Sequence, residues 1–148
     1  MFSYTDTTDV VKDLLFFVDS SGSMSRNELV HCYSEINGAI QQFKRHIDAK
    51  MAFFDTSVYE PLIPFDSITD ITKIKVEGRG GTLPNEVFKF CDEYKRKGGE
   101  IAGVIIFTDG EFDYDDLQPF DTPLLWIFTT HDNNPPFGLH TTIEIENS

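Results

Sequence analysis

Lysine and arginine stop at Lys97: residues 98–148 hold ten aspartates and glutamates and no Lys or Arg. Over the whole chain 12 Lys and Arg face 25 Asp and Glu, a formal charge of -13. A surface of that sign repels phosphate, which argues against nucleic-acid binding through a basic patch and against anionic membranes. It attracts cations, either metal ions or basic patches on other proteins. Cysteine is scarce as well. Cys32 and Cys91 lie 59 residues apart with no C-x-x-C pair, too few for a disulfide scaffold. Both fall in segments that read as helices, as buried or half-buried thiols of a reducing compartment. No apolar run approaches the ~18 residues of a membrane helix. Met1 to Asp6 offer neither the basic stretch nor the apolar core of a signal peptide. The expected location is therefore the cytoplasm. Internal repeats, low-complexity tracts and linkers are also missing, so residues 1–148 read as one domain.

What is abundant is phenylalanine, 14 residues in a chain of 148. With a mean hydropathy of -0.25 this describes a globular protein with an aromatic core. Residues 13–19 form an apolar run that ends in an acid and read as a buried strand. Ser25 and Glu28 make a capping box that announces a helix. Leu29, Tyr33, Ile36, Ile40 and Phe43 follow at helical spacing, and the helix is expected to end near Arg45. Residues 48–54 and about 57–62 read as a hairpin, with Pro61 and Pro64 marking an edge. Residues 67–77 fit either a helical turn or a short strand. Gly78 to Thr82 form a tight loop, and Pro84 opens a second helix with Val87, Cys91 and Tyr94 on its buried face. That helix stops at Lys95-Arg96-Lys97 and Gly98-Gly99. Residues 101–107 and 123–128 are further apolar strands, and 140–146 a last alternating one. Continuous apolar strands alternating with amphipathic helices predict an α/β, three-layer, doubly wound sheet. It is Rossmann-like and mostly parallel, with an antiparallel edge strand and helices on both faces.

In such a sheet ligands bind beyond the carboxyl ends of the strands, where strand order reverses. Three segments are expected there: Asp19-Ser20-Ser21-Gly22-Ser23, Gly80-Gly81-Thr82 and Thr108-Asp109-Gly110. They supply two carboxylates, Asp19 and Asp109, and three hydroxyls, Ser21, Ser23 and Thr82. All are hard oxygen donors of the kind Mg²⁺ prefers. Gly22 lets the chain bend between the serines, and Gly80 and Gly81 are expected to permit a close approach of Thr82. Hydroxyls in place of further carboxylates leave a cation under-neutralised and open to an anionic ligand.

These three motifs, in this order, resemble the metal-ion-dependent adhesion site (MIDAS) of von Willebrand factor A (VWA) domains, and the resemblance covers nearly the whole chain. It implies that Asp19, Ser21, Ser23, Thr82 and Asp109 are metal ligands, some through water, for Mg²⁺, with Mn²⁺ or Ca²⁺ as alternatives. It also implies that a partner protein supplies an Asp or Glu to the open position. Leu124 to Ile127 and Pro135 to Gly138 narrow the likeness to bacterial VWA-like domains that follow a metallopeptidase-like domain in longer proteins. Those proteins are often encoded near MoxR-type AAA+ ATPases, so the resemblance implies such a partner. Two departures stand out. The connection from Asp109 to the strand at 123 is short, so a helix is reduced or missing there. Leu83-Pro84 follows Thr82 where the narrower group often has a polar residue.

Other readings stay open on the sequence. A Mg²⁺-dependent hydrolase or phosphotransferase would use Asp19 as nucleophile and Asp109 as metal ligand. It lacks a carboxylate two residues after Asp19, where Ser21 stands, and only Arg79 is at hand to neutralise a phosphoryl group. A metal-free interaction domain is the third reading. A binding module without enzymatic activity is the expectation. Asp109, Glu111, Asp113, Asp115 and Asp116 lack EF-hand spacing and read as a solvated loop, with a weak second cation site or a surface for a basic partner as the alternative. Asp55 reads as a turn former or a neighbour of the site. His31, His46, His131 and His140 have no ligand spacing, and Trp126 reads as core.

Overall fold

A computed structural model of the chain describes residues 12–20, 30–31, 34, 47–64, 81–129 and 133–143. Its strands are β1 (Lys12–Asp19), β2 (Ile47–Phe54), β3 (Ile63–Pro64), β4 (Ile101–Thr108), β5 (Leu124–Phe128) and β6 (Leu139–Thr142). They form one six-stranded sheet in the order β3-β2-β1-β4-β5-β6. Every pair is parallel except β2 and β3. This is the expected α/β doubly wound sheet with one antiparallel edge strand.

The central strand shows why the apolar runs are continuous. Leu15 and Phe17 face one side of the sheet, Phe16 and Val18 the other, and all four are buried. Strands covered on both faces have no polar side to alternate with. On one face Phe16, Val18, Met51, Phe53, Phe107 and Ile127 pack together, with Val30 against them. Val30, His31 and Ser34 are helical, within the span of the first expected helix. The rest of that helix, its capping box, Cys32, and the segment 65–80 lie outside the described residues.

The other face is covered by helix α1 (Pro84–Arg96). Val87, Phe88 and Cys91 are its buried anchors. The expected stripe omitted Phe88, which widens the buried face beyond a single i, i+4, i+7 line. Burial pushes the Cys91 thiol up to about 12, so it is an apolar filler rather than a nucleophile. The helix ends where Gly98 takes φ +98° and its N–H reaches the Lys95 carbonyl at 3.0 Å. At Gly99 an added Cβ would sit 2.4 Å from the Tyr94 ring. Tyr94 itself donates to Asp13, and Lys50 stands 3.4 Å from Asp13 and 3.4 Å from the Tyr94 hydroxyl. This group fastens the end of α1 to the amino edge of the sheet.

Two expected boundaries move. The strand expected over 57–62 is a single bridge at Val58 to Phe54 and then β3 at 63–64. Pro61 and Pro64 have no N–H to give a ladder, so pairing is confined to short stretches beside them. The last strand starts at Leu139 and runs to Thr142, and residues 144–146 of its expected span lie outside the described residues.

Between β4 and β5 there is no α-helix, only a 3-10 turn at Tyr114–Asp116. Glu111, Asp113, Asp115 and Asp116 are exposed, while Phe112, Tyr114, Leu117 and Phe120 are half-buried and pack on the α1 face of the sheet. Phe112 stacks on Trp126 at 5.5 Å and Phe120 on Phe88 at 4.5 Å. Trp126 is fully buried and its indole N–H donates to the Phe137 carbonyl at 3.0 Å. Phe137 is half-buried, with its ring against Phe88.

Because Phe88 touches the rings of Trp126, Phe120 and Phe137 at once, Phe88→Ala is expected to cost about 3–5 kcal/mol in urea unfolding. A loss below about 1 kcal/mol would mean that the 109–123 loop packs without it.

Candidate metal site

The sheet topology brings the carboxyl ends of β1, β2, β4 and β5 to one edge. The chain leaves β1 to one side for β2 and returns on the other side as β4, so the reversal of strand order falls between β1 and β4. Their register pairs Val18 with Phe107. Asp19 and Thr108 therefore leave the two strands side by side.

Asp19 is completely buried. Thr108 donates its hydroxyl to Asp19 Oδ2 at 2.7 Å, and Thr82 lies 3.1 Å from each carboxylate oxygen. Two hydroxyls from separate segments thus satisfy one buried acid, as a charge in that position requires. Thr82 comes from the turn before α1. The N-cap residue of α1 is Leu83, with no side-chain cap bond, and Pro84 has no N–H to satisfy. The hydroxyl that could have capped the helix faces Asp19 instead. The Leu83 N–H donates to the Asp55 carbonyl at 2.8 Å, while the Leu83 side chain is 45 % exposed.

Asp109 follows Thr108 and is buried. Its Oδ1 accepts the Glu111 N–H at 2.9 Å, and the Gly110 N–H donates to the Thr108 hydroxyl at 3.1 Å. Gly110 holds φ +85°, and a Cβ there would lie 2.6 Å from Asn133 Nδ2. The positive φ calls for glycine in the T-D-G motif, and a larger residue would also have to displace the end of the Asn133 side chain. Tyr114 donates to the Gly110 carbonyl at 3.2 Å. Burial, then the negative charges of Asp109 and Glu111, push its phenol up to about 12. The field at this edge is negative.

Asp55 follows β2 and is also buried. Its Oδ1 accepts the Ser57 N–H at 3.3 Å and the Tyr59 hydroxyl at 2.9 Å. The side chain forms the turn, as one of the two sequence readings had it, and the backbone carbonyl holds Leu83.

Of the five expected ligands, Asp19, Thr82 and Asp109 stand at this edge, the first two in direct contact. Ser21 and Ser23 lie outside the described residues, as does Gly80. At Gly81, among the described residues nothing comes within 4 Å of an added Cβ. The sequence reading missed Ser20, whose N–H and hydroxyl both reach the Phe54 carbonyl, at 2.8 and 3.1 Å. It missed the role of Thr108, whose hydroxyl lay in the quoted T-D-G without an assigned partner. It also missed Asn85, which donates to the Asp116 carbonyl at 2.7 Å and accepts the Gln118 N–H at 2.8 Å. No sequence signal marks a side chain that clamps a distant loop.

The donor chemistry suits a hard cation. Asp19, Thr82 and Asp109 offer oxygen alone. Among the described residues no three His, Cys, Asp or Glu side chains gather as a metal-binding group, so neither a zinc-type nor a carboxylate-cage arrangement is present in them. No helix of the described residues is long and apolar enough to cross a membrane.

Residues 14–144 match a family described as a VWA-like domain (DUF2201). Solved structures share the fold. VWA2, an ArnB paralog from Sulfolobus acidocaldarius, is 19% identical with a TM-score of 0.59, over 83% of this chain and 36% of that one. BatB from Bacteroides thetaiotaomicron is 13% identical with a TM-score of 0.59, over 80% and 66%. An aerotolerance-related membrane protein from Bacteroides fragilis NCTC 9343 is 14% identical with a TM-score of 0.51, over 79% and 67%. The chain thus spans about a third of the first protein and about two thirds of the other two. Identities this low speak for the fold alone. A comparison with curated proteins found no match.

Gly110→Ala is expected to destabilise the protein by about 1–2 kcal/mol from its left-handed backbone alone, with more from Asn133. In a double-mutant cycle Asn133→Gly relieves the steric part only, leaving a coupling of about 1 kcal/mol between the two sites. Additive losses in chemical denaturation would show that the Asn133 contact carries no cost.

Proposed function

The chain belongs to the VWA-like DUF2201 family, and from that membership we propose that it is a protein-recognition module completed by a divalent cation. One observation carries the reading. A fully buried carboxylate at the strand-order reversal of a VWA-like sheet is met by a hydroxyl from a segment 63 residues away. Asp19, Thr82 and Asp109, together with Ser21 and Ser23, would hold Mg²⁺ in a MIDAS-type site. Mn²⁺ or Ca²⁺ could serve in its place. The ion would supply a positive point on an otherwise negative edge, and so draw an Asp or Glu of the partner.

The residues of the chain have separate tasks in this reading. Asp19 and Asp109 provide charge from two neighbouring strands. Thr82 and the serines provide neutral oxygens, which add no charge beyond the two carboxylates and leave the ion able to take a further anionic ligand. The exposed Leu83 beside Thr82 offers apolar contact at the rim. The exposed acids of 111–116 would repel acidic partners wherever the ion is missing, so recognition of a carboxylate would depend on metal.

The module performs no covalent chemistry in this reading. Ser21 stands where a phosphotransferase would place its second carboxylate, and no Lys or Arg follows Lys97. The partner we favour is a MoxR-type AAA+ ATPase in a cytoplasmic assembly, on the strength of the sequence resemblance.

Millimolar MgCl₂ is expected to raise the melting temperature, EDTA to reverse the rise, and Asp19→Ala to abolish it. Binding to an immobilised MoxR-type ATPase is expected to vanish in EDTA. A wild-type protein whose melting is indifferent to Mg²⁺, Mn²⁺ and Ca²⁺ would defeat the metal reading. Partner binding that persists in EDTA would defeat the proposed mode of recognition.

A further inference from the structure

We propose that Thr108, which is not among the expected ligands, is the positioning residue that fixes the two carboxylates of this site relative to one another. The inference rests on the cation reading above and adds a residue to it.

The Thr108 side chain carries one hydroxyl. It has one proton and two lone pairs. The Gly110 N–H donates into it at 3.1 Å, and Asp19 Oδ2 lies 2.7 Å away. The amide engages a lone pair and leaves the proton to Asp19. The direction is therefore set: amide to hydroxyl to carboxylate. Thr108 is completely buried at the end of β4, and a β-branched side chain has few χ1 states to choose from.

Both ends of this relay bear on the site. At one end it orients the Asp19 carboxylate from the neighbouring strand. At the other it holds the peptide that follows Asp109. That peptide belongs to a turn whose next N–H, on Glu111, is bound by the Asp109 carboxylate at 2.9 Å. Asp19 and Asp109 are 90 residues apart in sequence, and the Thr108 hydroxyl ties Asp19 to the peptide that follows Asp109. Pre-set spacing of two charged ligands is what lets an ion bind without first reorganising the protein. Thr82 also touches Asp19, but it is itself an expected ligand. Ser20 bonds its own hydroxyl and N–H to one carbonyl, so its hydroxyl adds no second element. Asn85 clamps the outer part of the loop, away from both carboxylates.

The test compares Thr108→Val, which keeps shape and removes the hydroxyl, with Thr108→Ser, which restores the hydroxyl. Calorimetric titration with MgCl₂ is expected to show at least a tenfold weaker dissociation constant for T108V and a value within about threefold of wild type for T108S. A merely structural role would lower the melting temperature of T108V in EDTA and leave its Mg²⁺ affinity unchanged. Equal or tighter Mg²⁺ binding by T108V overturns the proposal. Should T108V not fold, hydrogen exchange of the wild-type Gly110 amide decides. Strong protection, with and without MgCl₂, is expected from the relay, and rapid exchange overturns it. Failure of the wild type to bind Mg²⁺ would sink the cation reading instead, and Gly110 protection would still judge the relay.

Discussion

Asp19 has no solvent-accessible surface, and the hydroxyls that reach it determine how the carboxyl edge of the sheet is built. A carboxylate without hydrogen-bond partners in that position would cost several kcal/mol or more. The compensation comes from two directions. Thr108 approaches along the neighbouring strand, and Thr82 arrives from the turn that opens α1. Each contact demands something of its own element. For Thr108 it is the β1–β4 register, which sets it beside Asp19. For Thr82 it is a turn held by the Leu83 N–H on the Asp55 carbonyl. The acid is therefore bound to β4, α1 and β2 together, and no one of these can shift without exposing or stranding it.

The loop that carries the acidic rim is built on a different economy. A helix between β4 and β5 would cover the α1 face of the sheet with an amphipathic stripe. Here an alternation of aromatic and acidic residues does it. Phe112, Tyr114, Leu117 and Phe120 turn inward, and Glu111, Asp113, Asp115 and Asp116 turn outward. The rings supply buried area, and the Asn85 side chain supplies the paired bonds that a helix would find within itself. The Asp113 carboxylate accepts the Asp115 N–H, so part of the acidic run shapes its own turn. The charge of the loop is thus displayed on a backbone that is anchored by apolar contacts from below.

Much of this was legible in the sequence, for identifiable reasons. Buried parallel strands announce themselves as unbroken runs, so β1, β4 and β5 could be placed to within a residue or two. Pro84 and Gly98-Gly99 bracketed α1 because each has a backbone consequence. The short 109–123 connection forecast the loss of a helix. The convergence of Asp19, Thr82 and Asp109 on one edge followed from strand order, which motif positions can suggest. Side-chain pairings between remote segments were not legible. Thr108 was visible only as part of a motif, since its partner lies 89 residues away. Phe88 was overlooked because periodicity selects a line rather than a face. The third strand was misplaced because two prolines allow an edge strand but do not say where its few bonds fall.

Several departures from local rules fall at the carboxyl edge. Helix α1 begins on Leu83, a poor N-cap that typically forgoes ~1 kcal/mol relative to Ser or Thr, although a threonine stands one residue earlier. A large apolar side chain is left exposed there. A charge is buried at Asp19. All three lie at the carboxyl edge. At the amino edge α1 closes on a glycine with positive φ, basic residues fill its last turn, and Lys50, Asp13 and Tyr94 satisfy one another, although Leu139 at the start of β6 is exposed. Proteins bear local inconsistencies where function requires them and offset them elsewhere. Here part of the offset is local: the Thr108 hydroxyl that satisfies the buried Asp19 also accepts the Gly110 N–H, so one side chain serves both the acid and the turn after β4.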